Sequence, residues 1–352
     1  MTSQGTPAPH PSGAGTYAGT FGAVALAAYK PDQPMFARQL LSIQAQTHTD
    51  FVCLISVDGD YQQVADMVRQ ICGGDERFQV LGYSSRLGFH HNFERALKAV
   101  PKDARWVALS DQDDYWYPGK LAALLPRLDG AALVTGQARV VSPEISATDP
   151  DPARGTLTDR RNVGAADLIA TNQVTGSLCV FRREMLETAL PFPSLAAPSQ
   201  YHDHWLALCA LASGGISILD EVFQDYIQHG GNVVGESRQS LPTSIRNTLR
   251  FVKRYEGNTS PRSICSIIYK TGLGWRTLMA RTLLARSVQA GSSTNPELQD
   301  ALNLYARPRA WHLFKSLRDG VRRKNVAPIR AAEIYLGVVL PWERHSGISN
   351  PR

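Results

Sequence analysis

The chain has no apolar run near the ~20 residues that a helix needs to cross a bilayer, no C-x-x-C spacing, no internal repeat and no excess of acid. Its five cysteines (Cys53, Cys72, Cys179, Cys209 and Cys265) are scattered over 352 residues. An odd, scattered set argues against a disulfide framework or a zinc site and suits a reducing compartment. Met1 to Thr20 lacks the basic-then-apolar order of a signal peptide. Being rich in Gly, Pro, Ser and Thr, it reads as a disordered tail. Together these absences predict a cytoplasmic protein, or one held peripherally on the inner face of a membrane. The net charge is +6, and the surplus concentrates in Arg246 to Arg286 and Arg307 to Arg330. Such segments meet acidic partners or are solvated helix faces.

A hydrophobic fraction of 43% is enough for a substantial core. In the first half, strands and helices alternate. Phe21 to Ala28 reads as a strand. Asp32 and Pro34 then read as an N-cap and an early helical proline, and Phe51 to Val57 is a second strand. Tyr61 to Cys72 is helical, Phe78 to Leu81 is a short strand, His90 to Val100 is helical, and Trp106 to Leu109 is a fourth strand. This order predicts an α/β fold with a mostly parallel sheet and helices on both faces. Ala131 to Val180 reads as short strands around a polar loop, Ser142 to Arg160. A helix over about Gln200 to Ala212 and strands at Ile216 to Leu219 and Val222 to Gln228 follow. Beyond about Gly235 the pattern is helical and basic. The expected organisation is a tail over 1–20, a catalytic domain over 21–235 and a helical region over 236–352.

The most telling segment is Ser110-Asp-Gln-Asp-Asp-Tyr-Trp116. Asp111, Asp113 and Asp114 stand at the carboxyl end of a buried strand, where α/β sheets bind ligands. Carboxylates this close repel each other unless a cation is shared, and hard oxygen ligands suit Mg²⁺ or Mn²⁺. An EF-hand loop is excluded, because Tyr115 and Trp116 occupy the positions that need an oxygen ligand and Gly. A solvated acidic turn is the plainer alternative. Asp58, with Gly59 behind it, ends the second strand, where a carboxylate can accept from the imide NH of uracil or thymine; Asp-Gly is equally a turn former. Gly88 precedes a helix whose start favours anions. Asp203 lies between His202 and His204 at a helix start, as a general base or as a cap. His202 and His204 fall on different helix faces, which disfavours joint metal binding. His229 is a further metal or diphosphate ligand, or a satisfied structural histidine.

These segments, in this order, resemble the inverting family-two glycosyltransferases of GT-A fold, and among them the rhamnosyltransferase-like members of surface-polysaccharide pathways. The family's Ser-Asp-Gln-Asp-Asp-x-Trp is matched in full by Ser110 to Trp116. Its Asn-x-Gly-x-x-x-Asn-Phe is matched by Gly88, Asn92 and Phe93, with Arg86 at the first position. Thr175-Gly176, His202-Asp203-x-Trp205 and Gln228-His229-x-x-Asn232 complete the set. Ala28, Lys30, Val57, Asp60 and Arg86 depart from the pattern, all around the expected nucleotide pocket. The resemblance covers about Phe21 to Gly235.

The resemblance implies that Tyr29 and Asp58 hold the nucleobase beside the backbone of Ala27, and that Arg86 and Gly88 line the ribose–phosphate side. It implies that Asp111 and Asp113 hold the ribose and the metal, that Asp203 is the base, and that His229 approaches the metal or diphosphate. The implied cofactor is Mg²⁺ or Mn²⁺. The implied donor is dTDP-rhamnose or, next, a UDP-sugar, and the acceptor is a saccharide or lipid-linked hydroxyl. No nucleic-acid partner is expected, and a homodimer is a further option. The rival readings are a non-catalytic, transferase-like binding protein that uses its basic helices, and a phosphatase that forms an aspartyl-phosphate. The basic segment Leu241 to Arg286, with apolar residues such as Ile267, Leu273, Trp275 and Leu278, reads either as an amphipathic membrane-surface element or as helices packed on the domain.

Overall fold

The computed structural model describes residues 17–83, 85–142, 155–195, 200–229, 250, 252–289 and 295–339. Strand β1 (Gly22–Ala28), helix α1 (Gln33–Gln44), β2 (Phe51–Val57), α2 (Tyr61–Cys72), β3 (Phe78–Leu81), α3 (Phe89–Lys98) and β4 (Trp106–Ser110) follow the alternation predicted from the apolar pattern. Asp32 caps α1 through the Met35 amide (3.2 Å), with Pro34 in the first turn. Asp60 caps α2 through the Gln63 amide (3.1 Å). Each cap gives a partner to an amide that the first turn leaves open.

The remaining sheet elements are β5 (Tyr115–Trp116), β6 (Leu133–Val141), β7 (Thr156–Leu157), β8 (Val180–Arg182) and β9 (Ile216–Ile227), with the short helix α4 (Lys120–Leu124) between β5 and β6. Eight strands run in the order β3-β2-β1-β4-β8-β6-β9-β5, and β7 pairs with β6. The pairings from β3 to β4 are parallel. Beyond β4, β8 is antiparallel to both neighbours, β6 and β9 are parallel, and β5 is antiparallel to β9. The sheet is therefore mixed. In register, Leu26 lies opposite Ser110 and Ala28 opposite Val57, so β1, β2 and β4 all end at one edge. Strand β1 is flanked by β2 on one side and β4 on the other, which makes that edge a switch point, the usual crevice for a ligand in such sheets.

Both faces of the sheet are covered. Ala23 and Ala25 enter one core with Val107 and Leu109, while Val24 and Leu26 enter the other with Trp106 and Ala108, as the two-residue period requires. The second core is closed by Phe36, Leu40 and Ile43 of α1. The first is closed by Phe93 and Leu97 of α3, by α7 (His202–Ser213) and by the C-terminal helices.

Two expectations are corrected, and one helix is added. The strands expected at Ile216 to Leu219 and Val222 to Gln228 are one strand, β9, whose register with β6 slips around Gln137. Within Ala131 to Val180, β6 is nine residues long and buried throughout, and a short helix α5 (Ala165–Ala170) follows it. A further short helix, α6 (Met185–Ala189), precedes α7. The expected tail falls outside the described residues up to 16, and Tyr17 is buried. The boundary expected near Gly235 also lies outside them.

The C-terminal elements are α8 (Pro261–Tyr269), a π-helical turn (Lys270–Gly274), α9 (Trp275–Gln289), α10 (Pro296–Ala306), α11 (Ala310–Arg322) and α12 (Pro328–Val339). Ser260 and Asn295 cap α8 and α10. Leu241 to Leu249 and Phe251 lie outside the described residues. Within the rest of that segment Val252, Ile267, Leu273, Trp275 and Leu278 are buried, so of the two readings packing on the domain is the one observed. Buried Arg276 fixes the arrangement. Its guanidinium donates to the Ala170 carbonyl (3.0 and 2.6 Å) at the end of α5 and to Thr271 and Gly272 (3.0 and 2.6 Å) in the π-turn. Tyr305 donates to the Ala166 carbonyl (3.1 Å). No helix among the described residues is long and apolar enough to cross a membrane.

Candidate active site

The loops that leave β1, β2 and β4 carry the predicted nucleotide-side residues, and the sheet brings them together. Gln112 ties two of these loops: its Oε1 accepts from the Tyr29 amide (2.8 Å), and its Nε2 donates to the Tyr29 carbonyl (3.2 Å). Tyr29 thereby stands beside the acidic loop, and the Arg86 guanidinium lies 4.1 Å from its ring centroid. Ala27 is partly exposed at the end of β1.

Asp58 is nearly fully buried. Its Oδ1 accepts from the Leu87 amide and from Arg95 Nη2, and its Oδ2 accepts from the Gly88 amide, all at 2.8 Å. Arg86 Nε is 3.9 Å away. Gly88 caps α3 with φ 81°, a backbone region that glycine enters without strain. The Gly88 amide at this helix start already serves Asp58. Asn92 stiffens the same corner, accepting from Ser56 (2.6 Å) and Arg95 (2.9 Å).

The three carboxylates that read as one cluster have separate surroundings. Asp114 is fully buried and structural. Its oxygens accept from Gln224 Nε2 (3.1 Å) and the Ile227 amide (3.2 Å), tying the β4–β5 turn to β9. Burial, then Asp113 and Asp111, hold its carboxyl well above the usual range. Asp111 and Asp113 remain partly exposed. Burial, with the neighbouring charges of Asp113 and Asp203, pushes the Asp111 carboxyl up to about 7. Asp113 Oδ2 lies 2.8 Å from His229 Nε2, and both side chains reach solvent.

Asp203 lies in the first turn of α7 and is partly exposed. The expectation of a capping carboxylate is refined: Tyr201 occupies the cap position. Asp203 Oδ1 accepts from the His204 amide (2.7 Å). Burial pushes its carboxyl up to about 6, opposed by the amides around it and by Arg160. Gly176 packs against this turn. A Cβ there would meet His202 Nε2 at 2.6 Å and Asp203 Cβ at 3.5 Å. His202 is buried and stacks on Phe93 (centroids 3.9 Å apart), while His204 meets the Leu168 carbonyl (2.9 Å). Both histidines are engaged in the interior, one by stacking and one by a hydrogen bond.

Sequence reasoning missed the layer beneath the site. Lys120 is fully buried. It donates to the Ser177 carbonyl (2.5 Å) and Gln224 Oε1 (2.8 Å), and sits 3.6 Å from a Trp116 ring centroid. Burial holds its ammonium well below its usual pKa, against the pull of Asp114 and Asp111. Arg139 forms two 2.8 Å bonds with Asp225, which also accepts from Tyr117 (2.7 Å). The available signal was Lys120 itself, a lone cation a few residues beyond the acids and followed by apolar residues.

Among the described residues no group of three or more His, Cys, Asp and Glu side chains could hold a metal by themselves. The Asp113–His229 pair offers a partial donor set of one carboxylate and one imidazole. That suits a divalent ion that takes its other ligands from phosphate oxygens and water.

Residues 24–190, just under half of the chain, match the family profile described as Glycosyl transferase family 2. Over those residues the chain is similar to that family, and its mixed sheet with flanking helices and a C-terminal helical extension has the arrangement of a GT-A fold. No curated protein matches the chain significantly. Similar solved structures include S. aureus TarS 1-349 in complex with UDP-GlcNAc, 16% identical, covering 89% of this chain and 83% of that one, with a TM-score of 0.48. Another is the mannosyltransferase PcManGT from Pyrobaculum calidifontis in complex with GDP-Man and Mn²⁺, 19% identical, covering 91% and 86%, with a TM-score of 0.45.

Proposed function

We propose that the protein transfers a sugar from a nucleoside-diphosphate sugar to an acceptor hydroxyl by single displacement with inversion. The observation that carries this reading is the convergence of three groups around one edge of the sheet. These are the Tyr29–Arg86 stack, the Asp113–His229 pair, and Asp203, whose charge acts on Asp111.

On the donor side, the nucleobase packs near Tyr29 and the Ala27 backbone, with Asp58 offering the acceptor position left on Oδ2 and Arg86 and Gly88 lining the ribose–phosphate side. Asp111 holds the ribose. Asp113 and His229 hold a divalent ion, which when bound neutralises the charge that develops on the departing diphosphate. On the acceptor side, Asp203 takes the hydroxyl proton as the oxygen bonds to the anomeric carbon, and the electron pair of the broken C–O bond leaves with the diphosphate. A carboxyl raised to about 6 is well matched to this role, since a base with a pKa near the working pH is both ionised and a useful proton acceptor. The buried Lys120–Gln224–Asp114 layer fixes the acidic loop from below. The donor we favour is dTDP-rhamnose, then a UDP-sugar; the acceptor is a saccharide or lipid-linked hydroxyl of surface-polysaccharide synthesis. The domain limits we favour are 21–235 for catalysis and 236–352 for the helical region.

The test is release of nucleoside diphosphate from dTDP-rhamnose, UDP-hexoses and GDP-mannose, with Mg²⁺ or Mn²⁺ and mixed saccharide acceptors, followed by NMR of the product anomer. Inversion at the anomeric carbon is expected. Retention, or release of inorganic phosphate from simple phosphate esters without turnover of any nucleotide sugar, would overturn the reading.

A further inference from the structure

We propose that the outer face of α11 and α12 docks on an anionic lipid bilayer. Five of the twelve large hydrophobic side chains that are exposed among the described residues sit on these two helices: Trp311 (68%), Phe314, Ile329 (64%), Leu336 and Val339. The two helices pack side by side. Trp311 stacks on Phe314 with centroids 5.9 Å apart, and Phe314 meets Tyr335 across the helix pair at 5.5 Å. Ile329 and Leu336 are seven residues apart, and Leu336 and Val339 three, so they share a face of α12. The inner faces are already seated, since Leu313, Leu317 and Ile334 are buried in the core. Trp311 and Ile329 leave about two thirds of their surface exposed (68% and 64%) and are the residues of this face least engaged in folding.

Charge selects the occupant. From Arg307 to Arg330 the chain carries eight Lys and Arg residues against one acid, Asp319. Lys315, Arg318 and Arg322 follow Trp311 at helical spacing, so cations run beside the aromatic pair. A second copy of the chain is disfavoured, because a two-fold contact sets the same patch against itself and would bring like charges together. A nucleic acid would use the aromatic rings but has no use for Ile329, Leu336 and Val339. A bilayer surface uses all of these features: aliphatic side chains in the acyl boundary, a tryptophan at headgroup level and cations over anionic lipid.

The position has a functional sense as well. Helix α12 packs on the π-helical turn and on α5, and α5 packs on α7. The patch-bearing helix thus lies one helix away from α7, whose first turn holds Asp203. A membrane on this face would present lipid-borne hydroxyls near the acceptor side. The inference stands independently of the donor chemistry.

The test uses the full chain and phosphatidylcholine vesicles with and without phosphatidylglycerol, read by co-sedimentation at low and high salt. Binding is expected only to the anionic vesicles, with release by salt. The combined Lys315→Gln, Arg318→Gln and Arg322→Gln variant should partition roughly 100-fold less, about fivefold for each charge. The variant Trp311→Ser, at a position 68% exposed, should keep the wild-type melting curve and lose most vesicle binding. Brominated lipid should quench wild-type fluorescence, and Trp311→Phe should lose that quenching. Absence of binding to anionic vesicles at low salt would overturn the proposal. So would equal binding by the variants, or patch variants that change only self-association or nucleic-acid binding.

Discussion

Replacing Asp203 by Asn should make the protein more stable and nearly inactive, with a stability gain that depends on pH in a defined direction. The Asp203 carboxyl is raised from 3.8 to about 6 by burial. A raised carboxyl pKa means that the folded state holds its proton more tightly than the unfolded chain does. Well below pH 3.8 both states are protonated and the carboxyl costs nothing. Between pH 4 and 6 the unfolded chain gives up its proton first, and stability falls with rising pH. Above pH 6 the folded protein carries a destabilising charge, worth the difference between about 6 and 3.8 at ~1.4 kcal/mol per pH unit, or ~3 kcal/mol. Asn keeps the shape, and its Oδ1 can still accept from the His204 amide, but it bears no charge. The expected excess stability of Asp203→Asn is therefore small near pH 4 and rises to ~2–3 kcal/mol at pH 8. Urea unfolding at both pH values measures it, provided the denaturant slope is unchanged. Turnover should fall by ~10²–10⁴, and wild-type kcat/KM should lose activity as pH drops through about 6. Parallel stability–pH curves for the two proteins, or near-full turnover by the variant, would refute the reasoning.

Three further outcomes follow from the same geometry. Asp113→Ala removes the partner of His229, and calorimetry with UDP, dTDP and GDP should show loss of Mn²⁺-dependent binding in a folded protein. Asp58→Asn leaves buried Arg95 without its counter-charge and should cost about 3 kcal/mol in chemical unfolding, in line with breaking one side of a buried pair. Gly176→Ala forces a Cβ within 2.6 Å of His202 Nε2; a stability loss of ~1–3 kcal/mol and a lower kcat at unchanged donor affinity are expected in denaturation and steady-state assays.

The first half of the fold was legible because its signals agree. Asp32 and Asp60 cap helices whose apolar residues follow the helical period, and α2 occupies the predicted Tyr61 to Cys72. The later part was less legible for physical reasons. The short apolar runs that became α5 and α6 are too brief for periodicity to separate helix from strand. The run split into two strands is the single strand β9, because pairing with β6 tolerates a slip that a strict alternation rule reads as a break. At the site, positions were legible and burial was not. Asp111, Asp113 and Asp114 look alike in sequence, yet only the packing of β9 makes Asp114 structural. Lys120, a surface residue by composition, became a buried cation because the acidic loop and Gln224 surround it. In the basic C-terminal helices the same periodicity served packing in α9 and left an apolar outer face on α11 and α12.

The sharing of one core between the sheet and the C-terminal helices limits how this protein can be recombined. Trp205 of α7, Trp275 and Met279 of α9 and Tyr305 of α10 belong to the same apolar cluster as Val107 and Leu109 of the sheet. A chimera that exchanges only the nucleotide-binding half must supply matching volumes to helices that arrive late in the chain, and a nascent chain that stops after β9 leaves uncovered the apolar surface of α5 and α7 on which those helices pack. Donor-swapping libraries should therefore cross over within surface loops on the α1–α2 face, which rests on the other core, and inherit α5 to α12 as a single block.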